Sequence, residues 1–123
     1  MQTVNTHNAP AAIGPYSQAV MKHDTLFVSG QLGIDPATGE MLQGFENQAE
    51  QVFRNIKAIL KTTGMDFSHV MKVTVFLKNM GNFAALNEIY ARNFSTPYPA
   101  REAIEVARLP KDGQIEISVI AMR

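Results

Sequence analysis

The chain has 123 residues, no cysteine, and 11 Lys and Arg against 11 Asp and Glu, for a formal net charge of zero. This length predicts one domain spanning residues 1–123, with a core large enough to fold and a sheet that can need a partner to cover it. The scattered basic residues make nucleic acid a poor candidate partner, and the missing thiols exclude disulfides, cysteine nucleophiles and thiolate metal sites.

The first half of the chain predicts two or three strands and then a helix. Ser17 to Val20 and Thr25 to Ser29 are typical of short strands around a polar turn, and a loop follows at residues 35–39. The helix is predicted from an apolar stripe with helical spacing that Gly64 is placed to end: Ala49, Val52, Phe53, Ile56, Ile59 and Leu60.

The second half predicts a strand, a helix and two final strands. Val70 to Lys78 alternates in the manner of a strand, and Asn82 suits the N-cap of the next helix. That helix carries an inward stripe and is stopped by two prolines: Phe83, Leu86, Tyr90, Phe94, Pro97 and Pro99. The order ββ(β)αβαββ favours an α+β fold with one mixed sheet and both helices on one face.

The other face of this sheet has a mixed composition. It is too apolar for water and too polar for a dry core, which suits a subunit interface with clefts in it. Its predicted members are Phe27, Ser29, Thr74, Phe76, Glu116, Ser118 and Ile120.

Four collinear segments resemble one family. They read APAAIGPYSQAV from Ala9, SGQLGIDPATGE from Ser29, KVTVFLKNMGNFAALNEIYARNF from Lys72 and PAREAIEVARLPKDGQIEISVIA from Pro99. Together they are similar to the RidA/YjgF family of reactive-intermediate deaminases. The resemblance implies a chorismate-mutase-like fold assembled as a homotrimer, with sites between subunits. It also implies cofactor-independent hydrolysis of 2-aminoacrylate, 2-iminopropanoate or 2-iminobutanoate to a 2-keto acid and ammonia.

Arg101 and Glu116 are the leading candidates for this chemistry. On residue type alone, Arg101 is better explained by a surface ion pair, and Glu116 is equally well explained by an outward-facing strand position. The resemblance implies that Arg101 binds the substrate carboxylate with help from the backbone N–H of Ala103. It implies that Glu116 holds the attacking water and moves protons, which is general acid–base work.

Four further residues are candidates for the pocket. The resemblance places Tyr16, Ser29 and Gly30 along it, although Tyr16 also fits a turn anchor and Ser29-Gly30 a simple strand end. Asn87 falls within the apolar stripe of the second helix, so a buried hydrogen-bond network explains it as readily as contact with substrate does.

The spacing of Arg101 and Glu116 raises a difficulty. If Asp112-Gly113 closes a two-residue hairpin, the two residues lie roughly 26 Å apart in one chain. Either the last strands do not form a simple hairpin, or the two residues meet across a subunit boundary, which is our hypothesis. Glu102 is a second concern, because a carboxylate beside Arg101 can occupy its guanidinium, although strand alternation points Glu102 away.

Other chemistries find little support in the sequence. His7, His23 and His69 are widely separated, so neither a metal site nor a cofactor is predicted. No apolar segment is long enough for a signal peptide or a membrane span, so we expect a cytoplasmic protein without membrane contacts. The rival to an enzyme is a small keto-acid-binding regulatory or protein-interaction module with vestigial catalysis.

Overall fold

The computed structural model describes the chain from Met1 to Arg123 as six strands and two helices. In chain order they are β1 (Gln2–Val4), β2 (Ala19–Lys22), β3 (Thr25–Leu32), α1 (Phe45–Thr62), β4 (Val70–Leu77), α2 (Phe83–Asn93), β5 (Ala100–Glu105) and β6 (Ile115–Met122). The two predicted strands correspond to β2 and β3, whereas β1 was not predicted. At the place of the optional third strand, between β3 and α1, the structure has only an isolated bridge between Ile34 and Met41.

The strands form one mixed sheet in the order β1-β2-β3-β6-β4-β5. All neighbours are antiparallel except β4 and β5, which are parallel. The parallel pair follows from α2, because a helical crossover returns the chain to the same end of the sheet. The predicted α+β fold, with a mixed sheet and two helices, is confirmed.

The last two strands do not form a simple hairpin. β6 enters the centre of the sheet between β3 and β4, while β5 lies at the edge. The connection between them passes the end of β4, where Val106 N–H donates to the Leu77 carbonyl and Lys78 N–H to the Gln114 carbonyl. Asp112 belongs to a 3-10 turn at Pro110–Asp112, so Asp112-Gly113 does not close a two-residue turn.

The register places Arg101 and Glu116 on opposite faces of the sheet. Arg101 lies opposite Val73, and Glu116 lies opposite Phe76, on the two sides of β4. Their Cα atoms are therefore roughly 14 Å apart rather than 26 Å. Because Val73 and Phe76 are three positions apart along β4, an odd offset, the Arg101 and Glu116 side chains still point to opposite faces.

The core lies between the sheet and the two helices. It is one cluster of 25 buried residues, and it includes the whole apolar stripe predicted for α1. Gly64 follows α1 with φ 76°, and its N–H donates to the Lys61 carbonyl, so the predicted helix end is confirmed.

Asn82 occupies the predicted N-cap position of α2, but its side chain does not cap the helix. Asn82 makes no capping bond, because a 3-10 turn at Met80–Asn82 leads directly into the helix. Asn79 caps that turn instead, and its side chain accepts a hydrogen bond from the Gly81 N–H at 2.7 Å.

The face without helices carries the residues that the alternation assigned to it. Thr74, Phe76, Glu116, Ser118 and Ile120 are all partly exposed, while their neighbours along the strands are buried in the core. Phe27 keeps 48% of its surface exposed. This open face is the region for which the composition predicts a partner.

Candidate functional site

Arg101 lies on β5, the strand at the edge of the sheet, and its side chain turns toward α2. Its Nη1 donates to Asn87 Oδ1 at 2.9 Å. Its Cζ stands 4.7 Å from the centre of the Tyr90 ring and 5.5 Å from that of Phe83. Two aromatic rings and one amide oxygen therefore hold the guanidinium against the helix.

Arg101 is the one arginine without an acidic partner. Arg54 and Arg92 pair with Glu50, Arg108 pairs with Asp112, and Arg123 pairs with Asp24. Arg101 is half-buried, and no carboxylate lies within 4.0 Å of it. A partly desolvated cation with no counter-charge is suited to bind an anion, and its planar fork matches a carboxylate.

The backbone of Ala103 faces the free edge of the sheet. Val106 N–H points toward β4, where it donates to the Leu77 carbonyl at 2.9 Å. Alternate residues of a strand direct their amides to opposite sides, so the N–H groups of Arg101 and Ala103 point away from β4. Ala103 N–H is thus placed on the same strand edge as Arg101.

Glu102 does not compete for Arg101. It lies opposite Thr74 on the open face, and its Oε1 pairs with Lys72 Nζ at 3.1 Å. Strand alternation predicted this direction, and the Lys72 contact gives the carboxylate a partner of its own.

Glu116 lies on the open face, beside a bulge in β3. Val28 pairs with Val119 and Gln31 with Ile117, so Ser29 and Gly30 together face the single residue Ser118. A Cβ atom on Gly30 would lie 2.7 Å from the Glu116 carboxyl carbon. The bulge and the glycine therefore make the space in which this carboxyl group sits.

Glu116 has neither a hydrogen bond nor an ion pair in the chain, because its carboxyl group stands over backbone rather than beside a donor. Burial raises the pKa of Glu116 above its ordinary value. A carboxylate that has a raised pKa and no hydrogen-bond or ion-pair partner in the chain can exchange protons closer to neutral pH.

The other candidates near the bulge have structural contacts. Ser29 Oγ donates to the Ser17 carbonyl at 2.6 Å, so this hydroxyl ties β3 to the preceding loop. The Tyr16 hydroxyl accepts a long hydrogen bond from Ile13 N–H at 3.4 Å, as expected of a turn anchor, and its ring stays exposed. Their roles toward a ligand stay predictions.

The candidate residues form two clusters. The Arg101 cluster comprises Arg101, Ala103, Asn87, Phe83 and Tyr90, on the helix side of the sheet edge. The Glu116 cluster comprises Glu116, Gly30 and Ser29, on the open face. A cavity of about 460 Å³ between α1 and the N-terminal segment contains neither cluster. One chain therefore presents two separate halves rather than one closed pocket.

Two features of the site escaped the sequence analysis. Phe83 and Tyr90 were predicted as inward residues, but not as contacts of Arg101; their spacing around Asn87, at i, i+4 and i+7, was the available signal.

The second feature is a series of buried side-chain hydrogen bonds that begins on α1. Gln51 donates to Asn55, and Asn55 donates to the carbonyls of Leu32 and Ile34, which fixes the segment after the bulge.

The chain has neither a cluster of potential metal ligands nor a helix suited to cross a membrane. No three His, Cys, Asp or Glu side chains come together as potential metal ligands. Neither helix combines the length and the apolar character that a membrane crossing needs.

Comparison with known proteins identifies the family. The family model described as endoribonuclease L-PSP matches residues 6–123. A RutC family protein of Pyrococcus horikoshii is 51% identical over 123 residues, covering 99% of this chain and 98% of that protein. The 2-iminobutanoate/2-iminopropanoate deaminase of Capra hircus is 48% identical over 121 residues, covering 98% and 88%.

A solved structure extends the match to three dimensions. The crystal structure of RidA from the Antarctic bacterium Psychrobacter sp. PAMC 21119 has a TM-score of 0.98 and 51% identity, and the match covers 100% of both chains. Sequence and fold agree along the whole length, and the chain belongs to the RidA/YjgF family.

Proposed function

We propose that this protein hydrolyses small 2-imino acids, and their 2-enamino tautomers such as 2-aminoacrylate, to 2-keto acids and ammonia. The observation that carries the proposal is Arg101, a half-buried guanidinium without a carboxylate partner, held in place at an open strand edge. The mammalian relatives named 2-iminobutanoate/2-iminopropanoate deaminase support the substrate class.

Arg101 and Ala103 bind the substrate in this mechanism. Two guanidinium N–H groups and the outward N–H of Ala103 hold the carboxylate of the imino acid. Hydrogen bonds to charged groups are worth about 1.5–3 kcal/mol each, which is enough to fix a molecule of this size. The free amide of Asn87, whose oxygen is used by Arg101, can donate to the same ligand.

Glu116 moves the protons. It accepts a proton as water adds to C2 of the iminium, and a tetrahedral carbinolamine forms. It passes that proton to the amino group, and the C–N bond breaks with its electron pair going to nitrogen. Glu116 takes the proton of the hydroxyl oxygen as the carbonyl forms, and this proton passes to the departing ammonia. Iminium and water thus give the 2-keto acid and ammonium without an oxidant or a cofactor, and acid–base assistance of this kind contributes about 10²–10⁴-fold.

The complete site needs two copies of the chain. The two clusters lie on opposite faces of one sheet, so a single chain cannot bring Glu116 to a substrate held by Arg101. In the proposed homotrimer, the open face of one subunit presents the Glu116 cluster to the Arg101 edge of the next.

Mixed subunits test this arrangement. Arg101→Ala and Glu116→Ala chains are each expected to be inactive alone, and they are refolded together in equal amounts. In a cyclic trimer, most random mixtures contain one intact site, so about a quarter of the wild-type activity is expected. Confirmed mixed trimers without any recovery would place both residues of a working site in the same chain.

The deaminase assay tests the activity itself. Threonine dehydratase generates the imine, semicarbazide traps it in competition, and formation of the 2-keto acid is followed. Wild type should prevent trapping, whereas Arg101→Ala should not. Arg108→Ala is the matched control, because Arg108 is exposed and paired with Asp112 outside both clusters. Wild type no faster than Arg101→Ala would exclude the proposed activity.

A keto-acid-binding module is the alternative, since it would use the same Arg101 cluster. The two functions differ at Glu116, which a binding module does not need. RNA is disfavoured as a substrate despite the description of the family model, because acidic and basic residues balance and most arginines are paired. RNA binding that weakens steeply with salt would reverse that conclusion.

A further inference from the structure

The guanidinium of Arg101 is held mainly by aromatic surface. Its Cζ lies 4.7 Å from the Tyr90 ring centre and 5.5 Å from that of Phe83. Asn87 holds only one of its nitrogens, Nη1, at 2.9 Å. Phe83, Asn87 and Tyr90 occupy successive turns of one face of α2, so a rigid helix carries all three supports.

From this geometry we infer that Phe83 and Tyr90 are positioning residues that set the affinity for the substrate carboxylate by fixing the plane of the Arg101 guanidinium. The inference rests on the proposed function. Neither ring touches the substrate in this scheme. They act by restricting Arg101 before the ligand arrives, so that less conformational freedom is lost on binding.

The aromatic ring of Tyr90, rather than its hydroxyl, carries this role. The hydroxyl is buried and has no hydrogen-bond partner, and burial raises the pKa of Tyr90 while the positive Arg101 opposes that rise. Phenylalanine keeps the ring over the guanidinium and removes the unsatisfied group. Tyr90→Phe is therefore a conservative variant that should retain the function.

The aromatic cluster supplies a matched control. Phe53 packs edge-on against Tyr90 at 6.2 Å and against Phe94 at 6.1 Å, and like Tyr90 it is buried in the core. It makes no contact with Arg101 among the cation–ring pairs. Phe53→Leu thus damages the same cluster without removing a support of the guanidinium.

The experiment compares Tyr90→Leu, Phe83→Leu, Tyr90→Phe and Phe53→Leu with wild type. It measures kcat and KM for the imine, the Kd of 2-oxobutanoate by calorimetry, and the ¹⁵N–¹H resonance of Arg101 Nε. We expect Tyr90→Leu to raise KM and Kd about tenfold, with a smaller change in kcat. The Arg101 proton should move downfield, because the shielding ring is gone.

The other variants serve as controls and as a second test. Tyr90→Phe should match wild type in KM, Kd and resonance position, and Phe53→Leu should lower Tm while leaving all three unchanged. Phe83 is only partly buried, so Phe83→Leu provides the same test if Tyr90→Leu does not fold. Wild-type affinity in a folded Tyr90→Leu or Phe83→Leu would overturn the inference. An equal loss of affinity in Phe53→Leu or in Tyr90→Phe would do the same.

Failure of the proposed function would be visible separately. A wild-type protein that neither deaminates the imine nor binds 2-oxobutanoate contradicts the proposed function. The Arg101 resonance needs no substrate, so it still reports whether the two rings position the guanidinium. An unchanged resonance in folded Tyr90→Leu and Phe83→Leu would contradict the positioning role alone.

Discussion

The Arg101 and Glu116 clusters differ in how strongly their contacts restrain the charged side chain. Arg101 is held on three sides, by two aromatic rings and an amide oxygen. The Glu116 carboxyl group has no hydrogen bond or ion pair in the chain. It lies over Gly30, and burial raises its pKa. The first arrangement suits a group that must bind in one orientation, and the second a group that must gain and lose a proton.

Glu116→Gln should give the largest effect, because it removes only the proton-transfer group. We expect kcat to fall about 10²–10⁴-fold while the Kd of a 2-keto acid changes little. Steady-state kinetics and calorimetry check the two halves of this prediction. Glu88→Gln, an exposed change on α2, is the control. An unchanged kcat would remove Glu116 from the chemistry and favour the binding module.

The pH dependence of activity should also identify Glu116 as the proton-transfer group. Glu116 acts as a base, so it must be ionised, and its pKa lies above the usual value near 4.5. Activity should therefore fall as the pH is lowered through this raised pKa, approaching about tenfold per pH unit below it. The profile is measured for wild type and Glu116→Gln under the same conditions. A falling acid limb that persists in Glu116→Gln belongs to another group or to the substrate.

Arg101→Lys tests whether binding needs the fork rather than the charge alone. Lysine keeps the positive charge but loses the bidentate geometry and the planar contact with the rings. We expect kcat/KM to fall about 10²-fold, mostly through KM. Arg108→Lys is the control. A variant with wild-type KM would show that a point charge is sufficient, and the contrast between the two clusters would weaken.

Gly30→Ala tests the space above the bulge. The new Cβ would lie 2.7 Å from the Glu116 carboxyl carbon, so this flexible side chain must move. We expect kcat to fall about tenfold, part of the acid–base contribution, with little change in Tm.

Gly33→Ala is the contrasting variant for that test. Its Cβ would meet the backbone of Gln48 at 2.5 Å, which cannot move as easily. Overpacking of this kind destabilises by about 1–3 kcal/mol, so Tm should fall. If Gly30→Ala lowers Tm as much as Gly33→Ala does, then Gly30→Ala acts mainly by destabilising the fold and not by displacing Glu116.

Glu102→Ser should give the smallest effect. Glu102 pairs with Lys72 across the sheet from the Arg101 guanidinium, and exposed pairs contribute about 0–1 kcal/mol. We expect kcat/KM within about twofold of wild type, measured in the same coupled assay. An increase beyond that would mean that the carboxylate does interfere with Arg101, as its place in the sequence first suggested.

The sequence predicted most of the fold because periodicity reports burial. The apolar stripe of α1, the alternation of β4 and the end of α1 at Gly64 are confirmed. Asn82 was correctly placed at the N-cap of α2, but its missing capping bond was not foreseen, because a 3-10 turn and an α-helix begin with similar signals. The partners of Arg101 were missed because an aromatic stripe looks the same whether it faces other apolar residues or a cation.

The sequence by itself determined the element types, the family resemblance, and the direction in which Arg101 and Glu102 point along β5. Only the tertiary structure decided that β6 lies between β3 and β4, that a bulge sets Gly30 beneath Glu116, and that the two clusters occupy opposite faces. The physical reason is that burial and alternation are local properties of a segment. Strand order and register arise from contacts between segments distant in the chain, and local periodicity does not encode them.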